Sequence, residues 1–376
     1  MFELIATATF GLEAVVRREI EGLGYEILKT EDGKVTFAGD ERAIVRSNLW
    51  LRCADRVLLK VCEFEAQTFE DLFQGIKGFA WEDIIPADGK FTVTCSTVKS
   101  KLHNPPAIQS VSKKAIVERM SAAYGIKQFP ETGAEYTVKV TLLKDRATVT
   151  VDTSGTGLHK RGYRVSSVDA PMKETLAAAL VLLSFYRPGR ALADPCCGSG
   201  TIPIEAAMIG MNIAPGLSRN FAAEGWELIP QEVWKEERSR AFASIQQLPV
   251  HILATDIDPK AVAAARENAA EAGVDMCIRF QRADVKDLGV SALADEHGMI
   301  ITNPPYGERI GEQEEIDGLF KALRRFCREH PGWSLFVITP DKDAEKKLMG
   351  RRANRRRKLY NGSIETTYYQ FHGEKS

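Results

Sequence analysis

Short apolar runs, some alternating with polar residues and some continuous, are separated along most of this chain by stretches whose apolar positions recur every three to four residues. Near the start this pattern predicts a strand over Leu4–Thr9, a helix over Leu12–Leu23 stopped by Gly24, and a strand over Tyr25–Thr30. A strand at Val35–Ala38, a helix over Asp40–Leu51 and a strand over Val57–Phe64 complete a small α+β unit, residues 1–65. A second unit, residues 66–154, holds helix Thr68–Gly75, strand Lys90–Ser96, helix Ser110–Tyr124 and two alternating strands, Glu135–Leu142 and Arg146–Asp152. The Gly- and Thr-rich stretch at residues 155–164 reads as a linker.

From residue 165 to 376 strands alternate with helices, as a parallel doubly wound sheet requires. Predicted there are helix Lys173–Leu183, strand Ala191–Ala193, helix Ile202–Ile209, strand His251–Thr255 and helix Lys260–Ala272. Strands Met276–Gln281, Met299–Thr302 and Trp333–Ile338 follow, and Asn361-Gly362 joins Lys358–Tyr360 to Glu365–Phe371 in a terminal hairpin. An insertion over residues 211–248, with Phe221, Trp226 and Trp234, could fold over the substrate or pack on this sheet, and packing is the expectation. The fold class is α/β.

The strand ends carry the candidate chemistry. Met299–Thr302 runs into Asn303-Pro304-Pro305-Tyr306. Two prolines remove two N–H donors and fix φ, so the turn offers carbonyl acceptors. The Asn303 side-chain oxygen and the Pro304 carbonyl suit the two hydrogens of an exocyclic NH2, and Tyr306 suits the face of a planar base. This is the pattern of enzymes that methylate an amino nitrogen of a nucleobase, and Asn303, Pro304, Pro305 and Tyr306 are the candidate catalytic residues.

Upstream, Asp194-Pro195-Cys196-Cys197-Gly198-Ser199-Gly200-Thr201 forms a strand-to-helix turn. Glycines there let a cofactor approach the backbone, and the helix N-terminus favours negative charge. A dinucleotide fingerprint would place a third glycine at Pro203, and a Walker loop would end in Gly-Lys-Ser/Thr; neither fits. An acid before a Gly-x-Gly turn resembles instead motif I of class I S-adenosylmethionine (SAM) methyltransferases. Asp256, at the tip of the next strand, is placed for ribose hydroxyls, with Ile257 beside it for a face of the adenine. Asp284, after the following strand, is placed for the adenine amino group. The candidate cofactor residues are Asp194, Cys196, Gly198, Ser199, Gly200, Thr201, Asp256, Ile257, Asp284 and Asn303.

Composition narrows the setting. With 44% hydrophobic and 27% charged residues the chain is an ordinary globular one. No apolar run approaches the ~18 residues of a membrane span, and Met1–Ala6 lacks the basic region of a secretory leader. Seven cysteines without a C-x-x-C pair, and six scattered histidines, argue against a disulfide framework or a zinc site. A cytoplasmic, metal-free protein is expected. A net charge of −1 sets aside bulk attraction to a polyanion, so nucleic-acid affinity must come from patches. Arg351, Arg352, Arg355, Arg356, Arg357 and Lys358 place six cations in eight residues. Smaller groups are Lys160, Arg161 and Arg164, and Lys99, Lys101, Lys113 and Lys114.

Together these residues resemble the THUMP-domain RNA methyltransferases. The nearest branch is the bacterial one that makes N2-methylguanosine in large-subunit ribosomal RNA, whose members are often labelled N6-adenine-specific DNA methylases. The likeness covers nearly the whole length. It is carried by Gly11-Leu12-Glu13, His159-Lys160-Arg161-Gly162-Tyr163-Arg164, Lys173-Glu174-Thr175-Leu176-Ala177-Ala178, Asp194–Thr201 and Asn303-Pro304-Pro305-Tyr306-Gly307-Glu308-Arg309. The resemblance implies a ferredoxin-like domain at 1–65, a THUMP RNA-binding domain at 66–154 and a Rossmann-like, SAM-dependent methyltransferase domain at 165–376. It implies methyl transfer to guanosine N2 in structured RNA, either 23S ribosomal RNA or a ribosomal precursor. Lys173 and Thr175 would close the cofactor pocket, and Arg309 would contact phosphate or brace its loop. Some members carry a second methyltransferase domain; a chain ending at Ser376 is expected to have one activity. Other readings stay open: guanine-N2 methylation of tRNA, N6-adenine methylation of DNA or RNA, and a non-catalytic RNA-binding or assembly factor with a vestigial SAM fold.

Overall fold

The computed structural model describes residues 1–166, 171–247, 251–288, 296–306 and 312–374. They form two compact units, one of Met1–Ala8, Arg17–Leu158 and Asn220–Arg240, the other of Thr9–Val16, His159–Arg219 and Ala241–Ser376.

The first half of the chain contains β1 (Phe2–Ala8), α1 (Glu13–Gly22), β2 (Ile27–Glu31), β3 (Lys34–Gly39), α2 (Glu41–Trp50) and β4 (Ala54–Glu65). It continues with α3 (Phe69–Lys77), β5 (Lys90–Val98), α4 (Pro105–Tyr124), β6 (Glu135–Leu143) and β7 (Arg146–Asp152). The strands of residues 1–65 and 66–154 share one sheet of order β2-β3-β1-β4-β7-β6-β5. Its seam is the antiparallel β4–β7 pair, with Leu58 opposite Asp152 and Glu65 opposite Arg146. Only β5 and β6 run parallel, and such a pair needs a long crossover, which α4 supplies. That helix starts before the predicted Ser110. The Asn104 side chain accepts from the Ala107 N–H, and Pro105 and Pro106 occupy the first turn, where their missing N–H groups are no loss.

The second half contains α5 (Glu174–Leu183), β8 (Leu192–Asp194), α6 (Thr201–Gly210), α7 (Gln231–Ala243), β9 (Ile252–Asp256), α8 (Pro259–Glu271) and β10 (Ile278–Arg282). Then come β11 (Met299–Thr302), α9 (Glu312–Glu329), β12 (Ser334–Thr339), α10 (Ala344–Leu348), β13 (Arg355–Asn361) and β14 (Ile364–Phe371). The sheet order is β10-β9-β8-β11-β12-β14-β13, parallel through β12 and closed by the antiparallel hairpin. Every residue of β11 and β12 is buried, which explains their continuous apolar sequence. The chain order reverses between β8 and β11. A doubly wound sheet opens its ligand crevice at the carboxyl ends of the strands at such a point.

The aromatic insertion does not pack on this sheet as expected. Residues 220–240 belong to the N-terminal unit. Trp226 stacks on Tyr136 with centroids 4.9 Å apart, and its indole N–H donates to the Glu135 carbonyl at 3.1 Å. Arg42 pairs with Glu236 at 2.9 Å and with the buried Glu237 at 2.5 Å.

Candidate active site

A cleft of about 820 Å³ opens at the carboxyl ends of β8, β9, β10 and β11. The turn after β8 contributes Pro195, Cys196 and Gly198, and the end of β9 contributes Asp256 and Ile257. Ala283 and Asp284 follow β10, Asn303 and Pro305 follow β11, and Gly318 and Leu319 of α9 also line it.

Hydrogen bonds between neighbouring turns set this wall. Gly198 has φ +52°, and its N–H donates to Asp256 Oδ2 at 2.9 Å, while Asp256 Oδ1 accepts from the Asp258 N–H at 3.0 Å. Each oxygen keeps a second lone pair for a ribose hydroxyl. Asp284 accepts from the Lys286 N–H at 2.9 Å, capping the turn beyond it. Ile257 is 63% exposed, a large apolar side chain on a cleft wall, as an adenine face requires.

Asp194 lies beneath the turn. It is buried and accepts from the Cys196 N–H at 3.2 Å, so it braces the loop from below. Burial pushes its pKa up to about 7, with the nearby Asp256 charge acting in the same direction. An acid that holds its proton more tightly when folded stabilises the fold at low pH and loses that contribution as pH rises from 3.8 towards about 7. Asp194→Asn is expected to flatten the decline in melting temperature across that window. An unchanged slope would mean that Asp194 is not the titrating group.

Several expected cofactor residues face elsewhere. The Ser199 and Thr201 hydroxyls accept from Arg164 at 3.2 Å each and do not line the cleft. Gly200 has φ +85°, and a Cβ there would lie 2.9 Å from the Ala265 Cβ; it serves the close approach of this turn to α8. Thr175 is buried in α5, and Lys173 opens on a separate cleft of about 410 Å³ with His159 and Lys160. Neither lines the main cleft among the described residues, contrary to expectation.

The basic groups divide as well. Arg161 and Arg164, expected at RNA, turn inward. Arg161 is 3% exposed, with Nε 3.3 Å from the fully buried Glu205 carboxylate, which also accepts from the Tyr163 hydroxyl at 3.2 Å. Arg164 donates to Glu174 and to the Met172 carbonyl at 2.9 Å, besides the two hydroxyls, so its fork is committed to the protein. Lys160 remains exposed, and Arg309 lies outside the described residues. Lys99, Lys101, Lys113 and Lys114 are exposed on the N-terminal unit, with Lys113 over the Phe91 ring at 5.5 Å and Lys114 over Phe73 at 5.7 Å. On β13, Arg355 and Arg356 are exposed and Arg357 is half-buried.

At the turn after β11, Pro304 is buried and Pro305 lies on the cleft. Asn303 Oδ1 is sealed from solvent and, among the described residues, accepts no hydrogen bond. A buried acceptor left unpaired costs about 1–3 kcal/mol, so a ligand that brings a donor there is favoured. The Tyr306 hydroxyl accepts from Asn361 Nδ2 at 2.9 Å, which ties the ring to the hairpin. Burial raises the Tyr306 pKa, so the phenol stays neutral. Asn361 was missed from sequence; its Asn-Gly pair signals a turn, not a contact. The acceptors Asp256 and Asp284, with apolar Ile257, fit a nucleoside-type cofactor, and Asn303 adds an acceptor on the same wall. Among the described residues no cluster of His, Cys, Asp or Glu could hold a metal ion, and no helix is long and apolar enough to cross a membrane.

A sheet of this order, with a nucleoside-fitting cleft at its reversal point and an acceptor-only turn beside it, defines a class I methyltransferase. Residues 161–370 match the model of the RMKL-like methyltransferase domain, residues 3–58 the RlmL ferredoxin-like domain and residues 66–152 the THUMP domain. The chain belongs to the RMKL-like methyltransferase family, whose methyl donor is SAM. It is 48% identical to the "Putative RNA methyltransferase YpsC" of Bacillus subtilis, over 98% of this chain and 96% of that protein. It is 38% identical to the "Ribosomal RNA large subunit methyltransferase K/L" of Syntrophotalea carbinolica, over 98% of this chain but only 53% of that protein. The crystal structure of SMU.472, "a putative methyltransferase complexed with SAH", superimposes with a TM-score of 0.94 at 42% identity, covering 100% of this chain and 99% of that one.

Proposed function

We propose that this protein methylates the exocyclic N2 of a guanosine in large-subunit ribosomal RNA. The observation that carries the reading is the turn of Asn303 and two prolines beside the cleft, in which the Asn303 oxygen has no hydrogen-bond partner among the described residues. The THUMP domain and the relatives named as RNA methyltransferases support RNA as substrate; the K/L relative supports the ribosomal target.

Bound SAM supplies an electrophilic methyl group on a sulfonium. The chain's own task is to make a poor nucleophile competent, because the lone pair of an aryl-type amine is delocalised into its ring. Acceptors at Asn303 and Pro304 draw the two N–H bonds towards themselves and localise that lone pair. The new C–N bond forms as the S–CH3 bond breaks. The nitrogen proton, acidic only after transfer, then leaves to water. No strongly shifted base is needed, and positioning supplies most of the acceleration. Tyr306, whose hydroxyl is tethered by Asn361, is not among the residues that line the cleft; a base that reached its ring would gain ~1–3 kcal/mol of stacking against the few kcal/mol needed to extrude it.

Tritiated SAM with ribosomal RNA from a strain lacking the gene, followed by nucleoside analysis, tests this reading. Label is expected in N2-methylguanosine. Label in N6-methyladenosine, or acceptance by duplex DNA instead of RNA, would overturn it.

A further inference from the structure

The arginine-rich segment of the methyltransferase unit is not uniform. Arg356 pairs with Glu345 at 2.9 Å and Lys358 with Glu365 at 2.7 Å. Arg351, Arg352 and Arg355 are exposed and, among the described residues, have no carboxylate partner. Two of them lie over aromatic rings: Arg351 over Phe371 at 5.5 Å and Arg355 over Phe185 at 5.8 Å. Arg351 Nη1 donates to Asn354 Oδ1 at 3.3 Å and to the Arg352 carbonyl at 3.5 Å, which leaves its other terminal nitrogen and the whole Arg355 fork for phosphate, the group that guanidinium N–H edges bind.

Phe185 is unusual in itself. It is 49% exposed with φ +59°, a backbone conformation rarely adopted by a bulky L-residue. An outward-turned ring in a strained turn adds little to the core, yet it forms the platform for Arg355. Burial lowers the His372 pKa, and the charges of Arg355, Arg190 and Arg351 lower it further, so three guanidinium groups converge on this end of the unit. That concentration stands out in a chain whose net charge is −1.

Sheet register locates the patch. Arg355 of β13 lies opposite Gln370, which lies opposite Phe336 near the start of β12. Asn361, at the other end of β13, holds Tyr306 beside the acceptor turn. The arginines therefore sit at the amino ends of the parallel strands, with the cleft at the carboxyl ends. Six strand steps of about 3.3 Å separate Arg355 from Asn361 by about 20 Å.

We propose that Arg351 and Arg355, with the Phe185 platform, anchor the phosphate backbone of the RNA substrate at a distance from the reacting base. The proposal rests on the RNA reading given above and adds a second footprint to it. At about 3.4 Å per phosphate along one strand of a duplex, the anchor falls about six nucleotides from the base in the cleft.

The test is the salt dependence of binding of a fluorescent hairpin RNA, together with calorimetry of SAM binding, for the wild type, an Arg351→Gln/Arg355→Gln variant and an Arg351→Lys/Arg355→Lys variant. Losing two phosphate contacts should lower the log–log salt slope by about 2 and weaken binding roughly tenfold at physiological salt. SAM affinity should not change, which also reports an intact fold. The lysine pair should restore most of the slope, which a purely structural role would not. Equal slopes and affinities for the wild type and the glutamine variant would sink the anchor and leave the RNA reading standing. Failure of the wild type to bind RNA at all would sink both.

Discussion

Asn303→Ala is expected to lower kcat by roughly 10²–10³-fold, the effect of deleting one preorganised polar group at a reacting centre. SAM affinity should stay within about twofold, because Asp256, Ile257 and Asp284 remain on the wall. The physical reason is the state of the wild-type side chain. Among the described residues its oxygen accepts no hydrogen bond, so removing it breaks none of the bonds they make. Single-turnover kinetics beside calorimetry would separate chemistry from binding. If SAM binding collapsed while chemistry in the residual complex persisted, Asn303 would be a cofactor residue and not the acceptor for the base.

Arg161→Met should have the largest effect on stability, about 3–5 kcal/mol, because it strands a buried carboxylate. Glu205 is fully buried, and among the described residues its carboxylate would keep only the bond from the Tyr163 hydroxyl. Urea unfolding would show the loss. The companion change Glu205→Leu in the same chain should recover much of it, since replacing a buried pair by apolar groups is often neutral. RNA affinity of the folded protein should not move. The reverse outcome, full stability with weakened RNA binding, would restore the surface role expected for Arg161.

That residue shows what the sequence could and could not convey. The strand ends were legible because each carries a short apolar run followed by an acid, a glycine turn or prolines, and a period of two or a continuous run fixes where a strand stops. Asp256, Ile257, Asp284, Cys196, Gly198 and Asn303 all line one cleft for that reason. The direction of a side chain in an irregular segment follows no such period. Lys160, Arg161 and Arg164 read as one basic patch, yet Lys160 is exposed while the two arginines thread inward to Glu205 and Glu174. Within the glycine turn the same limit separated Gly198, on the cleft, from Ser199 and Thr201, whose hydroxyls serve Arg164.

Long-range partnership was the other blind spot. Trp226 and Trp234 announced burial but not where, and their segment joins the N-terminal unit through Tyr136 and Arg42. Helix α7 went unread because its sequence, Gln231–Ala243, is largely polar. Helix α9, by contrast, carries a readable signal, with Ile316, Phe320, Leu323 and Phe326 on one buried stripe. The tie between Asn361 and Tyr306 crosses 55 residues and leaves no local signal.

A crystal structure with S-adenosylhomocysteine bound tests the central claim most directly. Adenine is expected against Ile257 with its amino group at Asp284, the ribose hydroxyls at Asp256, and the sulfur facing a side-chain oxygen of Asn303 that still takes no donor from the protein. A ligand seated away from the β8–β11 reversal, or an Asn303 oxygen already bonded within the protein, would contradict the account.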